Sequence, residues 1–244
     1  MASPSESQRA RRALGPRTRR GRERRAELLQ AARSVFERKG WEGTRIADIA
    51  AAVPVAIGTF YTYFPDKESV FQEIAAEVVA DMYDSMHLPD PSEDVYDTVF
   101  RTHRRFIAAY RRNAIIIAMI REQARVNPAM RVLHFQLRDR FVGPGARALR
   151  AFQEKGLADA SIAPRLAIEA IAGMATEICY QWIVLGKYLG DEDTVTHLLT
   201  RLWLRAAGVK FTAPEHPDLS LSPSQTAPGT PSNEPHSRPQ NRSG

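Results

Sequence analysis

The chain has little cysteine, no clustered histidine and no long apolar run. Its single cysteine, Cys179, excludes an intramolecular disulfide and is typical of a reducing compartment. The six histidines stand apart, without metal-site spacing, and no phosphate-binding glycine loop or catalytic nucleophile pattern is present. The longest apolar run, residues 114–120, is too short to span a bilayer. We therefore expect a cytoplasmic protein without metal, cofactor or membrane contact, and not a helical enzyme, which is the rival class.

Positive charge is concentrated at the start of the chain. The whole chain carries a net charge of +6, and its first 25 residues hold nine arginines and two glutamates. The remainder is therefore slightly negative. Arginines in an unstructured segment can neutralise DNA phosphates, although the same run also suits a merely solvated tail. We predict that residues 1–20 form a disordered arm that contacts DNA, with Arg19, Arg20 and the adjacent Arg22 as contacts.

Two short helical patterns separated by a proline occupy residues 44–67. Apolar residues from Ile46 to Val53 recur at spacings of three and four, which places them on one helical face. Pro54 ends this helix because it has no amide hydrogen to donate. A second short helix then extends to Tyr63. The layout predicts a helix-turn-helix whose second helix enters a DNA major groove, although an ordinary pair of core helices shows the same periodicity.

Two sequence motifs lie in and next to this segment, IADIA at residues 46–50 and GTFYTYFPDKE at residues 58–68. They closely resemble the signature of the TetR/AcrR family of transcriptional regulators, and the resemblance extends over roughly residues 28–74. It implies an all-α protein. A three-helix helix-turn-helix DNA-binding domain, residues 21–67, would precede a larger helical domain, residues 68–210, for effector binding and dimerisation.

The outward-facing side chains of the helix-turn-helix give the candidate DNA contacts. The arginine guanidinium can donate two hydrogen bonds to a phosphate or to the edge of a guanine. Threonine, tyrosine and lysine side chains can contact bases or phosphates. Two positions depart from the family pattern, because alanine replaces a capping serine and isoleucine replaces a polar reader. Recognition of the DNA sequence would then depend more on contacts with thymine methyl groups, or on Arg45 at the start of the second helix and the arginines of the arm. The candidates are Thr44, which we also expect to cap the second helix, Arg45, Ala56, Ile57, Thr59, Thr62, Tyr63 and Lys67.

After residue 67 the pattern is helical throughout, with no alternation of period two. We predict a helix that ends near residue 110, another over 113–125 and a third over 129–142. The Gly143-Pro144-Gly145 sequence should interrupt the third helix, either as a simple turn or as part of a pocket wall.

Two long helices, 164–189 and 192–208, should close the ordered part of the chain. The first is apolar almost all round and needs cover on both sides. The family resemblance supplies this cover, because the pair is similar to the four-helix interface of a homodimer. Proline and serine dominate residues 211–244, which we expect to be disordered.

The resemblance implies a homodimeric regulator, chiefly a repressor, that leaves a palindromic operator when a small lipophilic effector binds. A constitutive regulator without an effector is the alternative. The candidate pocket residues are either apolar and central, with plain core packing as their alternative role, or polar among apolar neighbours. They are Ile116, Met119, Ile120, His134, Phe135, Phe141, Met174, Glu177 and Trp182.

Overall fold

The computed structural model describes residues 18–84 and 94–212, and within these ranges the chain is helical without β-strands. This confirms the predicted all-α fold class. The predicted arm up to residue 17 and the predicted tail from residue 213 lie outside the described residues. The described α-helices are, in chain order, α1 (Arg19–Gly43), α2 (Ile46–Ala52), α3 (Ile57–Tyr63), α4 (Lys67–Asp84), α5 (Val95–Gln123), α6 (Pro128–Glu154), α7 (Pro164–Cys179) and α8 (Glu192–Ala206).

Helices α1 to α3 form a helix-turn-helix domain. Phe36, Ile49 and Phe60, one from each helix, are fully buried in one core. Helices α2 and α3 meet at 99°, which lies in the range of a helix-turn-helix. No single described helix is long and apolar enough to cross a membrane, and α2 and α3 meet that criterion only as this bent pair.

Helix α1 begins inside the predicted arm. Thr18 caps it by accepting a hydrogen bond from the backbone N–H of Gly21 at 3.1 Å. Arg19, Arg20 and Arg22 therefore lie on the exposed first turns of a helix and not in a disordered segment. The predicted boundary at residue 20 missed this cap, because a single threonine among arginines is a weak helix-start signal.

Helix α4 contributes to the core at both of its ends. Near its start, Phe71 meets the Trp41 ring edge-on with centroids 5.1 Å apart, and Trp41 stacks on Phe36 at 5.7 Å. Further along α4, the buried residues Val78 and Met82 face the second domain. The same continuous cluster of buried side chains includes all of these α4 residues. One helix therefore connects the DNA-binding domain to the larger domain.

Helices α5 and α6 are longer than predicted. Helix α5 continues through the expected break before Asn113, whose side-chain amide donates to the Ala109 carbonyl at 2.9 Å and stays within the helix. Helix α6 continues through Pro144, although a proline inside a helix removes a hydrogen bond and crowds the preceding turn. A Cβ on the adjacent Gly145 would lie 2.9 Å from Cγ2 of Ile168. The glycine thus permits close packing of α6 on α7 and is not a turn.

Helix α7 is shorter than the predicted helix over 164–189. It passes into a π-helical turn, Tyr180–Val184, and the chain then leaves helical conformation near Gly186, where φ is +71°. A continuous apolar pattern does not reveal the extra residue of a π turn. Asp191 caps α8 by accepting a hydrogen bond from the Thr194 N–H at 2.7 Å. The start of α8 agrees with the predicted start at residue 192.

Candidate DNA-binding surface and effector cavity

The recognition helix α3 presents apolar and hydroxyl groups and carries no charged side chain. It begins after Ala56, which gives no side-chain cap. Ile57 is 48% exposed at the first helical position. Thr62 is exposed, and its hydroxyl donates to the Gly58 carbonyl at 3.1 Å, so its methyl group and oxygen lone pairs stay available. This surface suits contact with thymine methyl groups, with little electrostatic attraction of its own.

Thr44 does not cap α2, contrary to the prediction. Its side chain is 2% exposed and its hydroxyl donates back to the Gly40 carbonyl at 2.7 Å. The cause is the turn at Gly40, where φ is +68°. Asp48 takes the capping role by accepting from the backbone N–H of Arg45 at 3.1 Å. A hydrogen bond from Lys39, followed by that of Arg45, lowers the pKa of Asp48. Arg45 itself is exposed beside this carboxylate.

Lys67 supports the domain core from outside. Its ammonium group donates to the Trp41 carbonyl at 2.7 Å and lies 4.5 Å from the centroid of the Trp41 ring. Sequence reasoning treated Lys67 only as a phosphate contact and missed this role. Thr59 and Tyr63 are half-buried on α3. The outward candidates on α3 are therefore mainly Ile57 and Thr62.

Helices α4 to α8 enclose a cavity of about 390 Å³ in the second domain. This volume lies in the usual range for small-molecule sites. Most of its lining is apolar, with residues such as Val78, Phe106 and Ile171. The polar and charged residues of the lining are Thr102, His103, Tyr110, Arg121, His134, Arg138, Thr176 and Glu177.

The charged residues of the cavity are joined in ion pairs. A nitrogen of Arg121 lies 2.8 Å from a carboxylate oxygen of Glu177, and Arg138 pairs with Glu169. A hydrogen bond from Gln181, and then that from Arg121, lowers the pKa of Glu177. The two arginines therefore place no uncompensated charge on the lining.

His103 is the most deeply buried histidine of the lining, with 7% of its surface exposed. Its Nδ1 lies 3.2 Å from the Thr200 hydroxyl, which itself donates to the Thr196 carbonyl at 2.8 Å. Burial lowers the pKa of His103 to about 4, against a smaller opposite effect of a hydrogen bond with the Val99 backbone. The imidazole is therefore neutral at pH 7.

A polar network joins the DNA-binding domain to α4 and α5. Arg33 of α1 donates to Oδ1 of Asn113 at 2.8 Å, and Nδ2 of Asn113 donates to Asp81 at 2.6 Å. Burial alone would raise the pKa of Asp81, but hydrogen bonds from Arg112 and Asn113 outweigh it and lower the pKa. Asn113 is 2% exposed at the centre of this network, whereas Arg33 and Asp81 are partly exposed.

A second polar contact joins α6 to the start of α4. Oδ1 of Asn127 caps α6 by accepting from the N–H groups of Ala129 and Met130 at 2.9 and 3.3 Å. Nδ2 of the same residue donates to Oε1 of Glu68 at 3.0 Å. Only residues 64–66 separate α4 from the recognition helix. The Asn127 side chain therefore connects α6, a wall of the cavity, to the first turn of α4, close to the end of α3.

Sequence comparison places the helix-turn-helix in a known family. Residues 28–74 match the family described as bacterial regulatory proteins, tetR family. The match covers the helix-turn-helix and the start of α4. The HTH-type transcriptional repressor KstR2 of Rhodococcus jostii (strain RHA1) is 37% identical to this chain over 60 residues. Those residues are 25% of this chain and 29% of KstR2, so the similarity spans less than a third of that relative.

Solved structures of the TetR family share the fold beyond that domain. A TetR-family transcriptional regulator of Mesorhizobium loti has a TM-score of 0.63 and 22% identity, over 77% of this chain and 98% of its own. FadR of Bacillus halodurans, a fatty acid degradation regulator, has a TM-score of 0.59 and 24% identity, over 74% of this chain and 94% of its own. At these identities the likeness shows the fold alone.

The structure brings some predicted pocket residues to the cavity and leaves others outside. Ile120, His134, Phe141 and Glu177 line it. Sequence reasoning missed His103 and the other polar lining residues of α5, because only the packing of α5 against its neighbours decides which of its faces meets the cavity.

The remaining predicted pocket residues lie elsewhere. Ile116 and Met119 are buried in the core without reaching the cavity, and Met174 is packed beside both apolar clusters. Phe135 is 56% exposed on the outer face of α6. The Trp182 ring lies 4.9 Å under the Arg111 guanidinium, in the π-helical turn. These residues are apolar, as the prediction required, but the rotation of each helix about its axis decides which of its faces meets the cavity.

The burial of neutral His103 predicts a pH-dependent stability. Its pKa is about 4 in the folded chain, against 6.5 for the free group. The unfolded chain therefore binds a proton below pH 6.5 that the folded chain does not, so this stabilisation is complete above that pH and is lost towards pH 4. Between pH 7 and pH 5 we expect this group to lower the free energy of unfolding by about 2 kcal/mol. Urea unfolding at both pH values measures it.

A variant without the imidazole provides the comparison. His103→Phe should lose less stability than the parent between pH 7 and pH 5, because no buried group is left to protonate. Val99→Ala, a destabilising change in the same region without a titratable group, should keep the parent pH dependence. Equal pH dependence in the parent and in His103→Phe would contradict the prediction.

Proposed function

We propose that the chain is a homodimeric repressor that leaves a palindromic operator when a small lipophilic molecule occupies the cavity. The observation that carries the proposal is the joining of two separate sites. An exposed recognition helix lies in one domain and an apolar cavity in the other, and α4 and the Asn127–Glu68 hydrogen bond connect them. The name of KstR2 supports repression, and that of FadR suits a lipophilic effector.

The release of DNA needs two conformations with different affinities. A ligand shifts their populations only if it binds one of them more tightly. Helix α6 lines the cavity through Leu137 and Phe141 and reaches α4 through Asn127. A ligand that moves α6 therefore changes the support of α4 and the spacing of recognition helices in a dimer. The presence of the cavity favours this regulated form over a constitutive regulator.

The proposed dimer interface involves residues 164–189 and 192–208. Leu166 is 71% exposed, Leu185 56% and Leu198 40%. Apolar side chains of this size on adjacent elements suit burial against a second copy of the chain. A two-fold axis there would present recognition helices about 34 Å apart, which matches one turn of DNA.

Footprinting on the DNA upstream of the gene is the direct test of the proposed function. We expect a protected palindromic region, with binding that weakens steeply as salt is added. Arg45→Ala should reduce affinity, whereas Arg104→Ala, an exposed arginine of α5, should not. Absence of any specific protection on this DNA would contradict the proposal.

The arginine arm should supply much of the electrostatic affinity, because α3 has no charge of its own. Deleting residues 1–17 removes four arginines and leaves the Thr18 cap of α1 in place. The proposed dimer loses twice that number, so we expect the slope of log affinity against log salt concentration to fall by up to about seven. Deletion of the tail, residues 213–244, is the control. An unchanged slope in the first deletion would show that the arm makes no phosphate contacts.

The Asn127–Glu68 hydrogen bond should transmit the effect of DNA binding to the cavity wall. Linkage is reciprocal, so DNA should slow amide exchange in α6 if the domains are coupled. Asn127→Asp keeps the acceptor that caps α6 but sets a second carboxylate against Glu68. We expect this variant to lose the DNA-induced protection of residues 137–145, measured by hydrogen exchange.

A second substitution separates loss of coupling from loss of folding. Glu68→Gln in the Asn127→Asp background restores a donor opposite an acceptor, so the protection should return. The same circular dichroism for both proteins would confirm that α6 remains capped. Full protection in Asn127→Asp alone would show that this contact does not couple the domains.

A further inference from the structure

The hydrogen bonds around His103 assign its two ring nitrogens. The hydroxyl of Thr200 gives its single hydrogen to the Thr196 carbonyl, so toward Nδ1 of His103 it can only accept. Nδ1 therefore carries the proton of the neutral imidazole, and Nε2 is left as an acceptor. Within the described part of the chain, no fully buried side-chain nitrogen or oxygen lacks a partner. The hydrogen bond with the Val99 backbone stabilises the protonated ring, so a ring N–H is its donor and it does not use the lone pair of Nε2. With Nδ1 directed at Thr200, the Nε2 edge is the part of the ring left for the cavity that His103 lines.

Two other lining residues add polar groups to the interior. The Thr176 hydroxyl donates to the carbonyls of Ala172 and Gly173 at 2.8 and 3.0 Å, so its lone pairs are what it can offer a ligand. Tyr110 is 2% exposed, and burial raises the pKa of its hydroxyl, which remains protonated. The inner polar groups therefore include more acceptors than donors.

The charged residues give little attraction to an anion. Arg121 and Arg138 pair with Glu177 and Glu169, so a bound carboxylate would compete with a glutamate for either arginine. Burial, and then the nearby arginines, lower the pKa of His134, which is therefore neutral at pH 7. A charged ligand would lose its hydration without gaining a free cation.

We propose that the cavity binds a neutral, largely apolar molecule whose hydroxyl or N–H group donates a hydrogen bond to Nε2 of His103. The proposal rests on the proposed function, because it names the effector class of the same cavity. Apolar lining supplies affinity through burial, and the single donor supplies orientation and selectivity. A free fatty acid is then a poorer ligand than the matching alcohol.

Three matched probes test this class on the full chain: decanol, decyl methyl ether and decanoate. They share an alkyl chain, but only the alcohol is a neutral donor. Binding is measured without DNA by calorimetry and by tryptophan fluorescence, since Trp203 lines the cavity. We expect decanol to bind about tenfold more tightly than the ether, which leaves Nε2 unpaired. Decanoate should bind more weakly than decanol by about tenfold or more.

Variants assign the selectivity to His103. In His103→Phe the preference for decanol over the ether should disappear, because the acceptor is gone. His197→Phe is the matched control, since that ring bonds to Tyr96 at 2.9 Å and does not line the cavity. The ratio of the two affinities is informative even if a variant is less stable, because lost packing weakens both ligands.

Nitrogen NMR of histidine in the unmodified protein gives a second test that needs no variant. We expect His103 to be the Nδ1-protonated tautomer, with an Nε2 signal that moves when decanol binds. Tighter binding of decanoate, equal binding of alcohol and ether, or binding of none of the probes would overturn the proposal. Footprinting is independent of these results, so DNA binding can succeed where the ligand class fails.

Discussion

The packing of one helix, α4, into both ends of the core is the constraint on which the arrangement depends. Phe71 near its start is packed against Trp41, while Val78 and Met82 line the cavity further along. The buried side chains between them form one continuous cluster. Because interiors are close-packed, the proposed ligand response would pass a displacement at the cavity end along the helix. The recognition helix α3 ends only three residues before α4 begins and is held by the same core.

Two sets of polar contacts between the domains add specific geometry to this apolar packing. The network of Arg33, Asn113 and Asp81 has specific geometry and is centred on the buried Asn113 side chain, so it favours one relative placement of α1 and α5. Asn127 and Glu68 are closer to the surface and connect α6 with α4. The first contact holds the domains together, whereas the second lies where a moving cavity wall would act on α4.

Sequence reasoning recovered the features that local signals determine. Helical periodicity and Pro54 gave the helix-turn-helix, and a capping residue gave the start of α8 at Asp191. It failed where a distant contact decides the outcome. The turn at Gly40 directs the Thr44 hydroxyl away from α2, and the Trp41 carbonyl holds Lys67. No pattern within either segment contains that information.

The cavity was harder to predict for a related reason. Apolar side chains such as those of Met119 and Ile120 differ by one position, yet only Ile120 lines the cavity. The difference is a rotation of about 100° around α5, which depends on how that helix packs against its neighbours. His103 could be found only once the packing of α5 was known and Thr200 of α8 was placed beside it.

The proposed dimer also sets how strongly a ligand must discriminate between conformations. Moving a population from 99:1 to 1:99 needs a total preference of about 10⁴. In a dimer with two equivalent cavities the preferences of the two bound ligands multiply, so each ligand needs to bind one conformation about a hundredfold more tightly than the other. A hydrogen bond to His103 that forms in only one conformation would account for about tenfold of it. The apolar lining must then change its contact with the ligand by a similar factor, which requires that α6 and the cavity end of α4 move together.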